Sequence, residues 1–323
     1  MKPGAVLFPS HRHAIADGSS RWTFVVARRF GRLANRLAVF AHLIAFAESR
    51  GCSIVNPTFH SYSDNFANLV DNFYCAYPRP TRISLFDRVP FVGDAVRSVR
   101  GLHHLTEISA AIARYGIVPG AVVVDKLDER QWPARPEKTR STGATGRPSI
   151  VFMRDWHFRV PDLVMQYADT VRSFLRPTDL VAAKSDAAAG QLREQADLVV
   201  GVHIRHGDYE TFRGGAYFFP VEQYAAWMHE LAEIHAPRRV AFLVCSDGNI
   251  DSSAFAGLVV GFGPGDPFGD IFALAACDLL IGPVSTFTQW SSYYGNVPLY
   301  QLHHVDDRPE PGQFAVSNLC KFP

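Results

Sequence analysis

The five cysteines, Cys52, Cys75, Cys245, Cys277 and Cys320, form no CxxC pair. An odd number at wide spacing argues against a thiolate zinc site or a disulfide framework. It favours buried single thiols in a reducing cytoplasm. Long apolar runs are missing too. The longest candidate, Leu33 to Ala47, is interrupted by Asn35, Arg36 and His42, so no transmembrane span is expected. The first residues lack a basic segment followed by an apolar block and a small-residue cleavage site, so no secretion signal is expected. A formal net charge of +1 lacks the basic excess that capture of nucleic acid requires.

What is present is an ordinary globular composition, 47% hydrophobic and 20% charged over 323 residues. That length makes two domains the default expectation. Trp22–Ala27 reads as a buried strand. Leu33, Leu37, Phe40, Ala41, Ile44 and Ala47 then fall at helical spacing, Gly51 marks the helix end, and Ser53–Val55 reads as a second strand. This β–loop–α–β opening predicts a parallel sheet. Helices are expected at Phe66–Ala76, Ala95–Tyr115 and Asp162–Leu175, with strands at Ala121–Val124 and Ser149–Met153. Pro133–Ser149 is rich in Pro, Gly, Ser, Thr and basic residues and reads as a surface loop.

The second half alternates strands (Leu198–Ile204, Val240–Cys245, Leu258–Gly261, Leu279–Ile281) with helices (Val221–His235, Asp270–Ala276, Ser285–Tyr294). Such alternation predicts a doubly wound α/β domain. The boundary is expected near Ala183–Gln195, giving an N-terminal α/β domain of residues 1–185 and a C-terminal Rossmann-like domain of residues 186–323.

The densest chemistry lies in VVGVHIRHGDYETF, Val199 to Phe212. Strand alternation puts Val200, Val202 and Ile204 on one face and His203 and Arg205 on the other. His206-Gly207-Asp208 has turn chemistry, which leaves Arg205 at the C-terminal edge of a strand, where ligands of open α/β sheets bind. A guanidinium there suits a phosphate. Arg205 and Asp208 could instead form an ion pair bracing the turn, and His203 could be a hydrogen-bonded core histidine. His206-x-Asp208 with His303 or His304 would also compose the two-histidine, one-carboxylate triad of non-haem iron oxygenases, but those enzymes are β-sandwich barrels.

In DIFALAACDLLIGPVSTFTQW, Asp270 opens a helix, a strand follows, and Ser285-Thr286 begins the next helix. Hydroxyls and free N–H groups at that terminus form an anion site, so Arg205 and Ser285-Thr286 could grip one diphosphate. Ser285 also reads as a plain N-cap, as does Asp270. The early loop RRFGRLANR, Arg28 to Arg36, presents a helix N-terminus but has neither GxGxxG nor a P-loop lysine.

Taken together, these segments resemble the fucosyltransferase superfamily of α1,2-, α1,6- and protein O-fucosyltransferases. His203 to Tyr209 looks like its H-x-R-x-G-D-Y segment, Asp270 to Trp290 like its late motif, and Phe30 to Arg36 like its early G-x-x-x-N loop. The resemblance implies a GT-B-like fold, two Rossmann-type domains facing across a cleft, with GDP-fucose on the C-terminal domain and the acceptor on the N-terminal one. It implies Arg205 on the β-phosphate with Ser285 or Thr286 helping. His203 and Asp270 would touch the guanosine, Gly31 and Asn35 would belong to the early loop approaching the sugar, and Asp247 is a further nucleotide-contact candidate. Asp208 and Glu210 are the nearest acids for a general base.

The absence of a DxD motif fits an inverting transfer that needs no metal and no cofactor. His206 stands where many relatives carry a second arginine. Leu33-Ala34 and Arg36 depart from the L-G-N-Q usual in the α1,2 group, so the acceptor stays open between a glycan, a glycolipid head group and a peptide hydroxyl. The same scaffold with another nucleotide sugar, or a non-catalytic binder of sugar nucleotides or glycans, remains as an alternative. Nucleic acid is not an expected partner, a cytoplasmic location is expected, and contact at a membrane periphery is left open.

Overall fold

The computed structural model describes residues 22–79, 110–111, 121–131 and 149–320. Two five-stranded sheets organise the chain. The first contains β1 (Trp22–Val26), β2 (Ser53–Val55), β3 (Ala76–Tyr77), β4 (Ala121–Val124) and β5 (Ser149–Met153), in the order β3-β2-β1-β5-β4. All its pairings are parallel except β2 with β3.

Helix α1 (Leu33–Arg50) connects β1 to β2. It is apolar around most of its circumference and accordingly is buried on most faces. Gly51 ends it in the left-handed conformation (φ 63°), its N–H returning to the Ala47 carbonyl at 2.8 Å. An aromatic core of Phe40, Phe59, Phe66 and Phe174 packs around this helix.

Two expected helices are corrected. Phe66–Ala76 is a run of turns. The Asn72 side chain takes the Ala76 N–H and donates to the Ala76 carbonyl, and Asn68 donates to Ser173 and Phe174, so these side chains compete with a helical ladder. Asp162–Leu175 is two helices, α2 (Pro161–Gln166) and α3 (Ala168–Phe174), divided at Tyr167 (φ −104°, ψ 25°). The remaining helix expectation, Ala95–Tyr115, lies outside the described residues except for Ala110 and Ala111, which are helical. The expected loop Pro133–Ser149 also lies outside them, apart from Ser149 in β5.

Helix α4 (Asp179–Arg193) occupies most of the segment in which a boundary is expected. The second sheet contains β6 (Leu198–Ile204), β7 (Val240–Ser246), β8 (Val259–Phe262), β9 (Leu279–Pro283) and β10 (Leu299–Leu302). All are parallel, in the order β10-β9-β6-β7-β8. Helices α5 (Val221–Ile234), α6 (Pro267–Ala275) and α7 (Thr286–Gly295) connect them.

Every residue of β6 is buried, as a central parallel strand covered on both faces should be. Leu198, Val200, Val202 and Ile204 pack with Tyr224, Trp227 and Met228 of α5. Val199, on the opposite face, packs with Ala189 and Leu192 of α4 and Ala273 and Leu274 of α6. Gly201 is required there, because a Cβ would come within 2.5 Å of Leu280 Cδ2.

The two halves share packing. Ile271, Phe272, Trp290 and Tyr293 belong to the same core cluster as α1. Arg172 donates to the Tyr293 carbonyl at 2.7 Å, and the Tyr293 hydroxyl donates to the Val164 carbonyl at 2.9 Å. Four cysteines are buried as expected, whereas Cys320 is partly exposed near the chain end. No described helix is long and apolar enough to cross a membrane.

Candidate functional site

The strand order of the second sheet reverses at β6. The chain runs outward through β7 and β8, then returns to place β9 on the other side of β6. Loops leaving β6 and β9 therefore part in opposite directions, and such a switch point is the usual ligand position in open α/β sheets. Arg205 is the first residue after β6, and Val284-Ser285 follow β9. The sheet topology thus brings together two of the segments singled out in the sequence, across a separation of eighty residues.

Ser285 is extended (φ −146°, ψ 139°) and caps α7, its hydroxyl oxygen accepting the Phe287 N–H at 3.1 Å. The first N–H groups of a helix lack partners within it, so this terminus can receive an anion. Arg205 is only 16% exposed and is held from several sides. Its Nη2 meets Asp208 Oδ1 at 2.5 Å, its Nη1 meets Asp247 Oδ2 at 2.9 Å, and the guanidinium carbon lies 5.3 Å from the Tyr209 ring centre. The Nε is buried with no hydrogen-bond partner among the described residues.

The bracing ion pair weighed from the sequence therefore exists. A second carboxylate, Asp247, joins it from the end of β7. Asp247 Oδ1 also accepts the N–H groups of His206 (2.9 Å) and Gly207 (3.1 Å). A Cβ at Gly207 would collide with Asp247 Oδ2, which explains the glycine of the HGD turn.

His203 is buried and stacks on Phe287, 4.9 Å between ring centres. Burial, reinforced by the Arg205 charge, holds its pKa down at about 3, so the imidazole is neutral. Its Nδ1 has no partner among the described residues. His206 turns elsewhere: its Nε2 sits 2.8 Å from the Phe219 carbonyl. With Asp208 engaged by Arg205, and His303 beside Tyr217, the components of the proposed iron triad do not converge. Among the described residues no group of three histidine, cysteine or carboxylate side chains is arranged to hold a metal ion.

Asp270 does not open its helix. Asp266 is the N-cap, accepting the Phe268 and Gly269 N–H groups, and Pro267 is the first helical residue. Pro267 suits that first position because its missing N–H would have had no partner. Asp270 lies in the first turn, buried, with Oδ1 accepting the Gly265 N–H at 2.9 Å. Burial raises its pKa to about 6. A Cβ at Gly263 would press on Asp270 Oδ1 and Cys245 Sγ at 2.5 Å each, so the loop after β8 closes tightly over this carboxyl. Arg205, Asp247 and Ser285 thus follow three neighbouring strands along one sheet edge, and Asp270 sits in the first turn of the helix after β8.

The β1–α1 loop meets this edge. Thr286 Oγ1 is 3.0 Å from Asn35 Oδ1, which joins the first turns of α7 and α1. Arg32 Nη2 is 3.9 Å from Asp208 Oδ2. Gly31 has φ +56°, a conformation costly for other residues, and a Cβ there would strike Asn35. Glu210 is exposed one turn beyond Arg205.

Sequence reasoning missed two contributors here. Arg36 is buried and donates to the carbonyls of Phe30, Gly31 and Thr58, fixing the loop from beneath. Burial lowers its pKa. Arg32 supplies the charge facing Asp208. The run of arginines was visible, but which of them point inward was not.

Two sheets of this topology, joined at the C-terminal edges of their central strands, make a GT-B-like α/β fold. No protein-family model matches the chain, and no curated protein matches it. Solved structures do. The chain is similar to a mutant of Arabidopsis thaliana FUT1 in complex with GDP, with a TM-score of 0.51 and 14% identity, covering 93% of this chain and 75% of that one. It also aligns with the fucosyltransferase NodZ from Bradyrhizobium (TM-score 0.48, 16% identity, 93% and 100% covered). POFUT1 in complex with GDP-fucose aligns with a TM-score of 0.46 and 11% identity, 91% and 98% covered. At these identities the first likeness establishes the fold, as the early resemblance implied.

Proposed function

We propose that the protein is a glycosyltransferase that moves fucose from GDP-fucose to a hydroxyl acceptor with inversion and without a metal. The observation that carries this is the topology of the second sheet, in which β6 ends just before Arg205 and its neighbour β9 runs into the Ser285 cap of α7, on the two sides of the switch point. The mutant FUT1 structure with GDP supplies the nucleotide class. Transfer from a nucleotide sugar builds negative charge on the departing diphosphate. A preorganised guanidinium, a hydroxyl and a helix N-terminus stabilise such charge, each removed group costing roughly a hundredfold in rate.

In this reading Asp208 and Asp247 aim Arg205 before the donor arrives, and the diphosphate takes over from Asp208, the more exposed of the two carboxylates (48% against 25%). Buried Asp270 and neutral His203 line the same edge as candidates for the guanosine, with Asp247 as a further one. Asp208, once released, and exposed Glu210 are the acids available to take the acceptor proton.

A second reading, a non-catalytic binder of a sugar nucleotide, is favoured by the engagement of both Arg205 Nη atoms by carboxylates. One experiment separates the two. GDP release is followed with GDP-fucose, GDP-mannose and uridine sugars, with and without acceptors and EDTA, beside direct GDP titration. GDP-fucose turnover that survives EDTA and is lost in Arg205→Ala is expected. GDP binding without turnover favours the binder, and consumption of another donor reassigns the sugar. Activity abolished by EDTA but intact in Arg205→Ala would overturn the proposal.

A further inference from the structure

The donor chemistry of Arg205 and Ser285 leaves Tyr209 without a role. Tyr209 follows the HGD turn, lies in a single tight turn at Asp208–Glu210, and is only 6% exposed. Its backbone N–H returns to the His206 carbonyl at 3.1 Å. Its side chain touches both sides of the second sheet's switch point. On the β6 side, the ring centre lies 5.3 Å from the Arg205 guanidinium carbon. On the β9 side, the hydroxyl donates to the Val284 carbonyl at 2.8 Å. Val284 directly precedes Ser285, the cap of α7.

The tie to Val284 acts on the helix terminus. The peptide group joining Val284 to Ser285 is planar and trans, so its N–H points opposite to its carbonyl. A carbonyl tethered to Tyr209 therefore fixes the direction of the Ser285 N–H at the start of α7. The ring that carries the tether is itself held. Phe212 stacks on it at 5.3 Å and 20° from parallel, and Tyr217 approaches at 6.3 Å.

Burial raises the Tyr209 pKa, against a smaller opposing effect of the Ser285 hydroxyl. The phenol thus keeps its proton at neutral pH and stays a donor to Val284. Any buried tyrosine hydroxyl needs a partner. The partner here is the carbonyl beside the helix cap, on a loop 75 residues away that leaves the neighbouring strand.

We propose that Tyr209 is a positioning residue of the diphosphate site. Its ring lies against the Arg205 guanidinium while its hydroxyl fixes the Val284–Ser285 peptide, so one side chain sets the spacing between the cation and the N-terminus of α7. This deepens the glycosyltransferase reading and rests on it.

Tyr209→Phe is the sharpest perturbation, because it keeps the ring and removes only the tether to Val284. The full chain is titrated calorimetrically with GDP and with guanosine, the weaker ligand by displacement of the stronger. Thermal melts fix a temperature at which every variant is folded, and the titrations are made there. Tyr209→Phe should weaken GDP by about tenfold, since one hydrogen bond contributes on that scale. Guanosine carries no phosphate and should bind within about twofold of its parent affinity. In an Arg205→Ala background the same substitution should weaken GDP less, because the spacing it sets no longer matters once the guanidinium is gone.

A brace that merely supports the sheet edge would behave differently. The proposal is overturned if Tyr209→Phe weakens GDP and guanosine in parallel, or weakens neither. Equal losses of GDP affinity with and without Arg205 would overturn it too. Failure of the unaltered protein to bind GDP would undo the donor reading and this proposal with it, an outcome distinct from the others.

Discussion

Replacing Arg205 by alanine changes two quantities that the structure allows to be separated. The first is stability. The guanidinium holds Asp208 and Asp247 together, and its removal leaves two carboxylates on adjoining turns without their shared cation. Asp247 keeps the His206 and Gly207 N–H groups, and both carboxylates are partly exposed, so the cost is about 1–2 kcal/mol, seen as a fall of a few degrees in Tm. The second is affinity for GDP. A guanidinium on a diphosphate contributes charge-assisted hydrogen bonds, here from a side chain only 16% exposed, and losing it should weaken Kd by about 100-fold. Arg205→Lys keeps the charge without the fork and should fall between. Calorimetric titration of GDP at low salt, with a thermal melt of each variant, measures both. If Arg205→Ala binds GDP within about twofold of the parent while Tm falls, the arginine is only a brace for the turn and the phosphate role is refuted.

Two further predictions concern the fold. His42 is buried, with Nδ1 accepting the Val160 N–H and Nε2 facing the Leu319 carbonyl, and burial holds its pKa at about 3, as it does for His203. Both are neutral when folded but protonate near 6.5 when unfolded, so stability is full above that pH and is lost as pH falls toward 3. Between pH 7 and 5 each loses about 2 kcal/mol, and Asp270, raised to about 6, returns about 1 kcal/mol as its carboxyl protonates in the folded state. Urea midpoints at the two pH values should differ by about 2–3 kcal/mol in net stability, and equal midpoints would contradict the burial of both imidazoles. Tyr293→Phe removes the donor to Val164 at the junction of the two halves and should cost about 1–3 kcal/mol. An unchanged Tm in that variant would show that the junction does not rely on this bond.

Elements with strong periodicity were legible in the sequence. Helix α1 was readable from its apolar spacing and terminal glycine, and β6 to β9 from short apolar runs between turn residues. Helix α4 was passed over as a boundary, because its Ala-rich and polar sequence carries little apolar signal and its buried face is narrow. Strand β10 was missed for a related reason. It is an edge strand of four residues with no pattern of its own. Phe66–Ala76 misled in the other direction, since its aromatics fall at helical spacing while asparagine side chains claim the backbone.

Sequence alone determined that a parallel α/β protein with an arginine at a strand end should form, because strand alternation and turn chemistry are local. It also singled out Ser285 as a helix cap, for the same reason. Only the tertiary structure decided what Arg205 faces. Asp247 reaches it from the loop after β7, and Arg32 reaches its partner Asp208 from the β1–α1 loop; both approaches depend on strand order, which no local pattern encodes. The stacking of Phe30 on Trp156 has the same origin. Two loops more than a hundred residues apart meet there because β1 and β5 are neighbours in the sheet.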